Sequence, residues 1–368
     1  MFSVWDIASS QLRDLAVYEP GKPIEETARE LGMEADEIIK LASNENPLGP
    51  SPKALLAARE ALRSAHLYPD GGGYYLREAL AAGLGCTREN LVLGSGSNEI
   101  IEFLGHAFLN RGDDIITSEH AFVVYKLVAA VFGAHTIEVR SSDFRHDLTA
   151  IAKAVTPKTR LIFIANPNNP TGTLASQDEI NHLVERVPQN VVIVFDEAYY
   201  EYLDDPPDTL RFVQENRNVV VLRTFSKIQG LASLRIGYGI APPELIRVLQ
   251  KTRQPFNVSG VSQAAALASL ADDAHRSKTK RITDEGRAYL QDQFKLMGLR
   301  FVPSAANFVL VNVGNGEKIF KKLLERGIIV RALKGYSLPE WVRISIGTME
   351  QNRRCIAGLL EVLKSPLT

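Results

Sequence analysis

Cysteine is almost missing from this sequence of 368 residues: only Cys86 and Cys355 occur, and no Cys-x-x-Cys is present. So few thiols exclude a disulfide framework, and a reducing compartment is expected. No stretch approaches the roughly 20 uninterrupted apolar residues of a membrane helix. The opening residues, Met1-Phe2-Ser3-Val4-Trp5-Asp6, lack the basic start and long apolar run of a signal peptide. A cytoplasmic protein with no membrane partner is therefore expected. An excess of either charge is also lacking. The 42 basic residues stand against 43 acidic ones, which argues against a general electrostatic grip on nucleic acid. The seven histidines are scattered and no His-Glu-x-x-His occurs, so no metal site is expected. No internal repeat or low-complexity segment is visible.

What is present is ordinary for a globular chain: 45% hydrophobic and 23% charged residues. The length suggests two domains. Residues 1–40 read as an arm plus a short helix, Glu25 to Leu31, stopped by Gly32. Asn44-Glu45-Asn46-Pro47-Leu48-Gly49-Pro50-Ser51-Pro52 is too rich in turn formers for regular structure, and a helix resumes over Ala54 to Leu62. From about residue 90, strands alternate with helices. Strand candidates are Leu91–Leu93, Asp114–Thr117, Leu161–Ala165, Val191–Phe195, Val219–Leu222 and Ile236–Ile240. Several are apolar without alternation, as in strands covered on both faces. The expected fold is α/β, with a mainly parallel central sheet in a large domain over 46–269. Residues 270–368, with part of 1–45, read as a smaller α+β domain. It carries a helical stretch through Lys280 to Leu296, strands at Asn307–Val313 and Val342–Ile346, and a helix near Lys318–Arg326.

Four clusters carry chemistry. The first is Thr224-Phe225-Ser226-Lys227, with Arg235 eight residues beyond the lysine. Burial and nearby cations lower a lysine's pKa and make its amine a nucleophile. Two hydroxyls and a planar cation suit a phosphate. Alone, Lys227 would read as a solvated surface lysine; its neighbours reverse that. The second is Asp196-Glu197-Ala198-Tyr199 at a strand's carboxyl end, where open α/β sheets bind ligands. An acid there can keep a pyridine nitrogen protonated, although alone it reads equally well as a helix cap. The third is Asn166-Pro167-Asn168-Asn169-Pro170-Thr171-Gly172, a rigid loop whose Asn169 amide can donate to a phenolate-like oxygen. The fourth is Gly94-Ser95-Gly96-Ser97-Asn98-Glu99, a turn into a helix start, where free N–H groups seat a phosphate. Glu99 stands where a dinucleotide fingerprint needs its third glycine, and no Gly-Lys-Ser/Thr follows to make a P-loop.

Taken along the chain, as glycine turn, Asn-Pro-Thr-Gly, Asp-Glu-Ala-Tyr, Ser-Lys and then Arg eight residues on, the clusters resemble the fold-type I pyridoxal-phosphate enzymes. Within them, the chain is similar to the histidinol-phosphate aminotransferase family. The Ala42–Pro52 stretch looks like that family's opening signature, and Tyr68-Pro69-Asp70, Gly230-Leu231-Ala232, Pro255-Phe256-Asn257 and Trp341–Gly347 add to it. The resemblance implies pyridoxal 5'-phosphate as cofactor, with Lys227 as its Schiff-base lysine and as the proton carrier. It implies Asp196 on the pyridine nitrogen, Tyr199 and Asn169 on the ring hydroxyl, and Thr224, Ser226, Arg235, Ser97 and Asn98 at the phosphate. Phe122 falls where an aromatic stacks on the ring, with ordinary core as the equal alternative. Tyr68 would reach the cofactor phosphate of a neighbouring subunit, which implies a homodimer. Arg343 and Arg331 would meet the substrate anions, Tyr18 would close over the site, and Asn46 belongs to the same substrate-binding set. The implied reaction moves an amino group from a small-molecule donor, histidinol phosphate, to 2-oxoglutarate. Gln229, Ser233 and Phe122 depart from the usual pattern and leave the donor open. An aromatic amino-acid aminotransferase or a threonine-phosphate decarboxylase of the same fold remain alternatives. A nucleotide-binding oxidoreductase would leave the lysine segment unexplained, and a DNA-reading regulator would need a domain for which some 40 leading residues leave little room.

Overall fold

In the computed structural model, which describes residues 3–13, 15 and 23–364, apolar residues on successive strand positions face opposite ways and fill two separate cores. After a short strand β1 (Ile39–Lys40), seven strands form the large sheet: β2 (Leu91–Gly94), β3 (Asp114–Ser118), β4 (His135–Val139), β5 (Thr159–Ala165), β6 (Val192–Asp196), β7 (Val219–Thr224) and β8 (Gly237–Ile240). Their order across the sheet is β2-β8-β7-β6-β5-β3-β4, and only β8 runs against its neighbours. Ile162, Ile164, Ile193, Phe195, Val219 and Val221 pack on one face. Leu161, Phe163, Val192, Val194, Val220 and Leu222 pack on the other. Each such side chain contributes about 1.5–3 kcal/mol on burial. That two-sided covering is why these strands read as unbroken apolar runs.

The remaining strands, β9 (Phe301–Val302), β10 (Phe308–Asn312), β11 (Ile328–Ile329), β12 (Arg331–Leu333) and β13 (Leu338–Ser345), build a smaller body. Four of them form an antiparallel sheet in the order β12-β13-β10-β9, while β11 pairs in parallel with β1. Ile39 and Leu41 join Val309, Val311, Val342 and Ile344 in one core, closed by helices Asp273–Leu296, Gly316–Leu324 and Met349–Lys364. The early segment therefore belongs to this body before the chain crosses to the large sheet.

Local signals set the helix ends. Gly32, at φ 66°, stops the helix Ile24–Leu31 in the left-handed conformation that glycine adopts without strain. Ser51 caps the helix Pro52–Ala61, with proline in its first turn. The long helix starts at Asp273, capped by Asp272, earlier than the charged pattern suggested. Strand β4 escapes the sequence pattern because it is an edge strand, mostly exposed or half-buried. Among the described residues no helix is long and apolar enough to cross a membrane.

Candidate active site

The carboxyl ends of β5, β6 and β7 lie side by side, with Ala165 opposite Asp196 and Asp196 opposite Leu222. Because β8 runs the other way, its first residues reach the same edge, beside Gly94 and Thr224. Glycine at 237 permits this approach: a Cβ there would sit 2.6 Å from the Ser97 amide nitrogen. A cavity of about 290 Å³ opens along this edge and is roofed by residues of the small body.

One end of the cavity is built for an anion. Ser97 and Asn98 begin the helix Ser97–Phe108, whose first N–H groups have no partner within the helix. Thr224, Ser226 and Arg235 line the same end. The Arg235 guanidinium donates to Ser226 Oγ at 3.4 Å and to the Ala232 carbonyl at 3.0 Å. Gly96, at φ 75°, makes room for it, since a Cβ would lie 2.1 Å from Arg235 Nη2. Glu99, which broke the dinucleotide pattern, braces the turn instead. Its carboxylate accepts from the Ser95 N–H and from Asn257 Nδ2, each at 2.6 Å.

The other end is built for a ring. Asp196 is 5% exposed, and its Oδ2 accepts from the Tyr125 hydroxyl at 2.7 Å. Its Oδ1 is buried without a hydrogen-bond partner among the described residues. Burial pushes this carboxyl up, while the Tyr125 bond and Lys227 draw it down. Tyr125 is fully buried and stacked on Phe163 at 4.6 Å, with Phe122 edge-on at 5.7 Å. The Tyr199 hydroxyl accepts from Asn44 Nδ2 at 2.9 Å, and burial pushes its pKa up to about 12.

Lys227 follows β7 and lies between the two ends. Its Nζ donates to the Ser43 carbonyl at 3.3 Å and stands 5.7 Å from the Tyr199 ring. Burial, then the Arg343 and Arg235 charges, lower it to about 8 against the pull of Glu45 and Asp196. Arg331 and Arg343 face each other as direct partners across β12 and β13, and both line the cavity. Like charges so paired repel. Arg343 donates to Asn169 Oδ1 at 2.5 Å and to the Ala42 carbonyl at 2.6 Å. That bond engages the amide oxygen of Asn169 and leaves its NH₂ as the group it can offer to a ligand. Tyr336 joins from the small body, seated by a contact of 3.0 Å between its carbonyl and His120 Nδ1.

Two residues named from sequence stand apart, and a third cannot be placed. Tyr68 lies outside the cavity lining, 83% exposed and stacked on Phe256 at 4.8 Å. Asn46 does not line the cavity either. Its NH₂ is engaged by the Ile228 carbonyl at 2.8 Å and Thr279 Oγ1 at 3.2 Å, so its side chain braces the loop. Tyr18 lies outside the described residues. Conversely, sequence reading passed over Asn44, Tyr125 and Tyr336. For Tyr125 a signal existed, one helical turn after Phe122; for the other two there was none.

The cavity fits the cofactor that the sequence suggested. An aromatic cation would complete the unpartnered Asp196 Oδ1, and a phosphate would complete the helix start beside Arg235. An aldehyde would meet an amine of lowered pKa between them. Comparison with known proteins agrees. Residues 36–359 match the family described as aminotransferase class I and II, and the chain belongs to that family. It is a pyridoxal-phosphate-dependent transaminase of the fold-type I architecture. Its relatives carry a narrower name. The chain is 50% identical to the histidinol-phosphate aminotransferase of Akkermansia muciniphila, covering 98% of this chain and 100% of that one. It is 48% identical to that of Moorella thermoacetica, over 94% and 90% of the two chains. The crystal structure of histidinol-phosphate aminotransferase from Sinorhizobium meliloti, in complex with pyridoxal-5'-phosphate, superposes with a TM-score of 0.89. The two are 29% identical, with 99% of each chain covered.

Proposed function

We propose that this enzyme moves the amino group of histidinol phosphate to 2-oxoglutarate, yielding imidazole acetol phosphate and glutamate, a step of histidine biosynthesis. The observation that carries the substrate is the arginine pair, Arg331 directly opposite Arg343 on cavity-lining strands. Two cations in that register are unfavourable without an anion between them. Both amino-group carriers of this reaction are anionic where they would meet the pair, one through a phosphate and the other through carboxylates.

The bound cofactor supplies an electron sink for the substrate's α-carbon. Residue roles follow from chemistry. Lys227 would hold the cofactor covalently through Nζ and, once released, take and return the α-proton at that atom. Asp196 Oδ1 would pair with the ring nitrogen, and its other oxygen stays on Tyr125. Tyr199 and Asn169 would donate to the ring oxygen. Ser97, Asn98, Thr224, Ser226 and Arg235 would hold the phosphate, and Phe122 would cover the ring. Domain boundaries near residues 45 and 269 belong to the same reading, as does cytoplasmic residence. So does a homodimer in which the exposed Tyr68 enters the partner's site.

The test is to mix the cofactor-loaded enzyme with one amino donor at a time and follow the cofactor's absorbance. Rapid conversion by histidinol phosphate and by glutamate, with little by phenylalanine or threonine phosphate, is expected. Conversion mainly by phenylalanine would move the substrate to aromatic amino acids. Carbon dioxide release from threonine phosphate would make the enzyme a decarboxylase.

A further inference from the structure

Asn44 is 1% exposed and holds φ at 55°, in the left-handed region. Outside glycine that conformation is uncommon, and asparagine is among the few residues that tolerate it. Each of its polar groups is engaged. Its N–H donates to Ser345 Oγ at 2.8 Å, and the same hydroxyl donates back to Asn44 Oδ1 at 2.8 Å. Its carbonyl accepts from Asn307 Nδ2 at 3.0 Å. Its remaining group, Nδ2, donates to the Tyr199 hydroxyl at 2.9 Å. Ser345 ends β13 and Asn307 directly precedes β10, so the small body fixes the backbone and amide oxygen of Asn44. Tyr199 follows β6 of the large sheet. One residue thus spans the two bodies at the edge of the cavity.

The direction of these bonds matters. An amide NH₂ can only donate, and a hydroxyl donates once. With the amide oriented the other way, the Ser345 hydroxyl would lose the acceptor it has here. Tyr199 therefore receives a hydrogen from Asn44, and its own proton has to point elsewhere, on the side open to the cavity. Asp196, Arg343 and Lys227 are the charged groups that act on it there. Its high pKa keeps the proton on oxygen at neutral pH.

We propose that Asn44 is a positioning residue that, by donating to the Tyr199 hydroxyl, aims the tyrosine's own proton at the cofactor's ring oxygen. Through Ser345 and Asn307 it makes that aim depend on the seating of the small body. The inference rests on the reading above that Tyr199 meets the cofactor ring. A donated hydrogen bond stabilises charge on the ring oxygen, so its loss raises the pH at which the bound cofactor's absorbance changes.

Asn44→Gly keeps a left-handed backbone and removes only the amide. The experiment is a pH titration of cofactor absorbance in loaded wild type, Asn44→Gly, Tyr199→Phe and the double variant. Tyr199→Phe is expected to raise the midpoint. Asn44→Gly is expected to raise it by about half a unit. The double variant should match Tyr199→Phe alone, since the first change acts through the second. An unshifted Asn44→Gly beside a shifted Tyr199→Phe overturns the inference and spares the cofactor site. So does full additivity in the double variant. An unshifted Tyr199→Phe overturns the placing of Tyr199 at the ring and the inference with it. Where Asn44→Gly does not fold, Asn44→Asp serves, because it replaces the donor with an acceptor of the same shape. Its shift must then be larger with Tyr199 present than in the Tyr199→Phe background, and equal shifts overturn the inference.

Discussion

Replacing Tyr125 by phenylalanine removes one oxygen atom from the centre of the site and leaves the packing in place. The ring of Tyr125 lies almost parallel to Phe163, with an interplanar angle of 8°, and meets Phe122 edge-on. Phenylalanine keeps both contacts. What goes is the 2.7 Å bond to Asp196 Oδ2. Both partners are buried, so no solvent takes the place of the hydroxyl. A hydrogen bond to a charged group is worth about 1.5–3 kcal/mol, and its loss here takes from the buried carboxylate the side-chain donor that holds Oδ2. Asp196 would then be harder to keep ionised, and in the proposed reading it is the ionised Asp196 that would pair with a protonated ring nitrogen. If the whole loss falls on cofactor binding, affinity should drop by about ten- to a hundredfold. The assay is equilibrium titration of the apoenzyme with pyridoxal 5'-phosphate across pH, with Asp196→Asn as the reference for complete loss of the charge. Tyr125→Phe should bind more weakly than wild type at low pH and approach it as pH rises and the carboxyl ionises. Unchanged affinity at every pH would refute the reasoning, because the hydroxyl would then have no hold on the charge of Asp196.

The apoenzyme should capture the cofactor fastest where Lys227 is neutral. With its pKa lowered to about 8, the capture rate should climb towards a plateau just above that pH, whereas an ordinary lysine would climb until about 10.4; stopped-flow absorbance separates the two. Lys227→Ala should bind the cofactor without a covalent link and lose nearly all turnover, and normal turnover in steady-state assays would end the assignment. Arg331→Ala should raise KM for histidinol phosphate about tenfold or more through loss of a charge-assisted bond. It should not lower the melting temperature, since a cross-strand repulsion goes with it; an unchanged KM would remove the arginine pair from substrate binding. His146 is buried between Ser118 and the Ala165 carbonyl and its pKa falls to about 4. Its folded pKa lies below the unfolded value of 6.5, so its contribution is complete above pH 6.5 and is lost as pH falls towards 4, about 3 kcal/mol in all. Urea unfolding across that window should show the slope in wild type and a shallower one in His146→Gln.

The sequence was legible where chemistry and local order coincide. Lys227, Asp196, Asn169 and the helix start at Ser97 each sit at the end of a strand whose apolar run was visible, and sheet topology brings consecutive strand ends to one edge. Identifying the strands therefore gives the cavity floor in outline. The roof is harder, because it depends on how a second body is seated, and no local pattern encodes that. Arg331 and Arg343 could be named from sequence, yet their direct opposition across β12 and β13 is a matter of register. Asn44 and Asn46 show the limit most clearly. They stand two apart in one turn-rich stretch, are of the same type, and are both buried. The residue that sequence reading selected, Asn46, turns to Ile228 and Thr279, while its neighbour reaches Tyr199. What separates them is the left-handed backbone at Asn44, imposed by Ser345 and Asn307 some 260 to 300 residues later. Residue type tells which groups can bond, but the distant strands decide which asparagine is turned toward the chemistry.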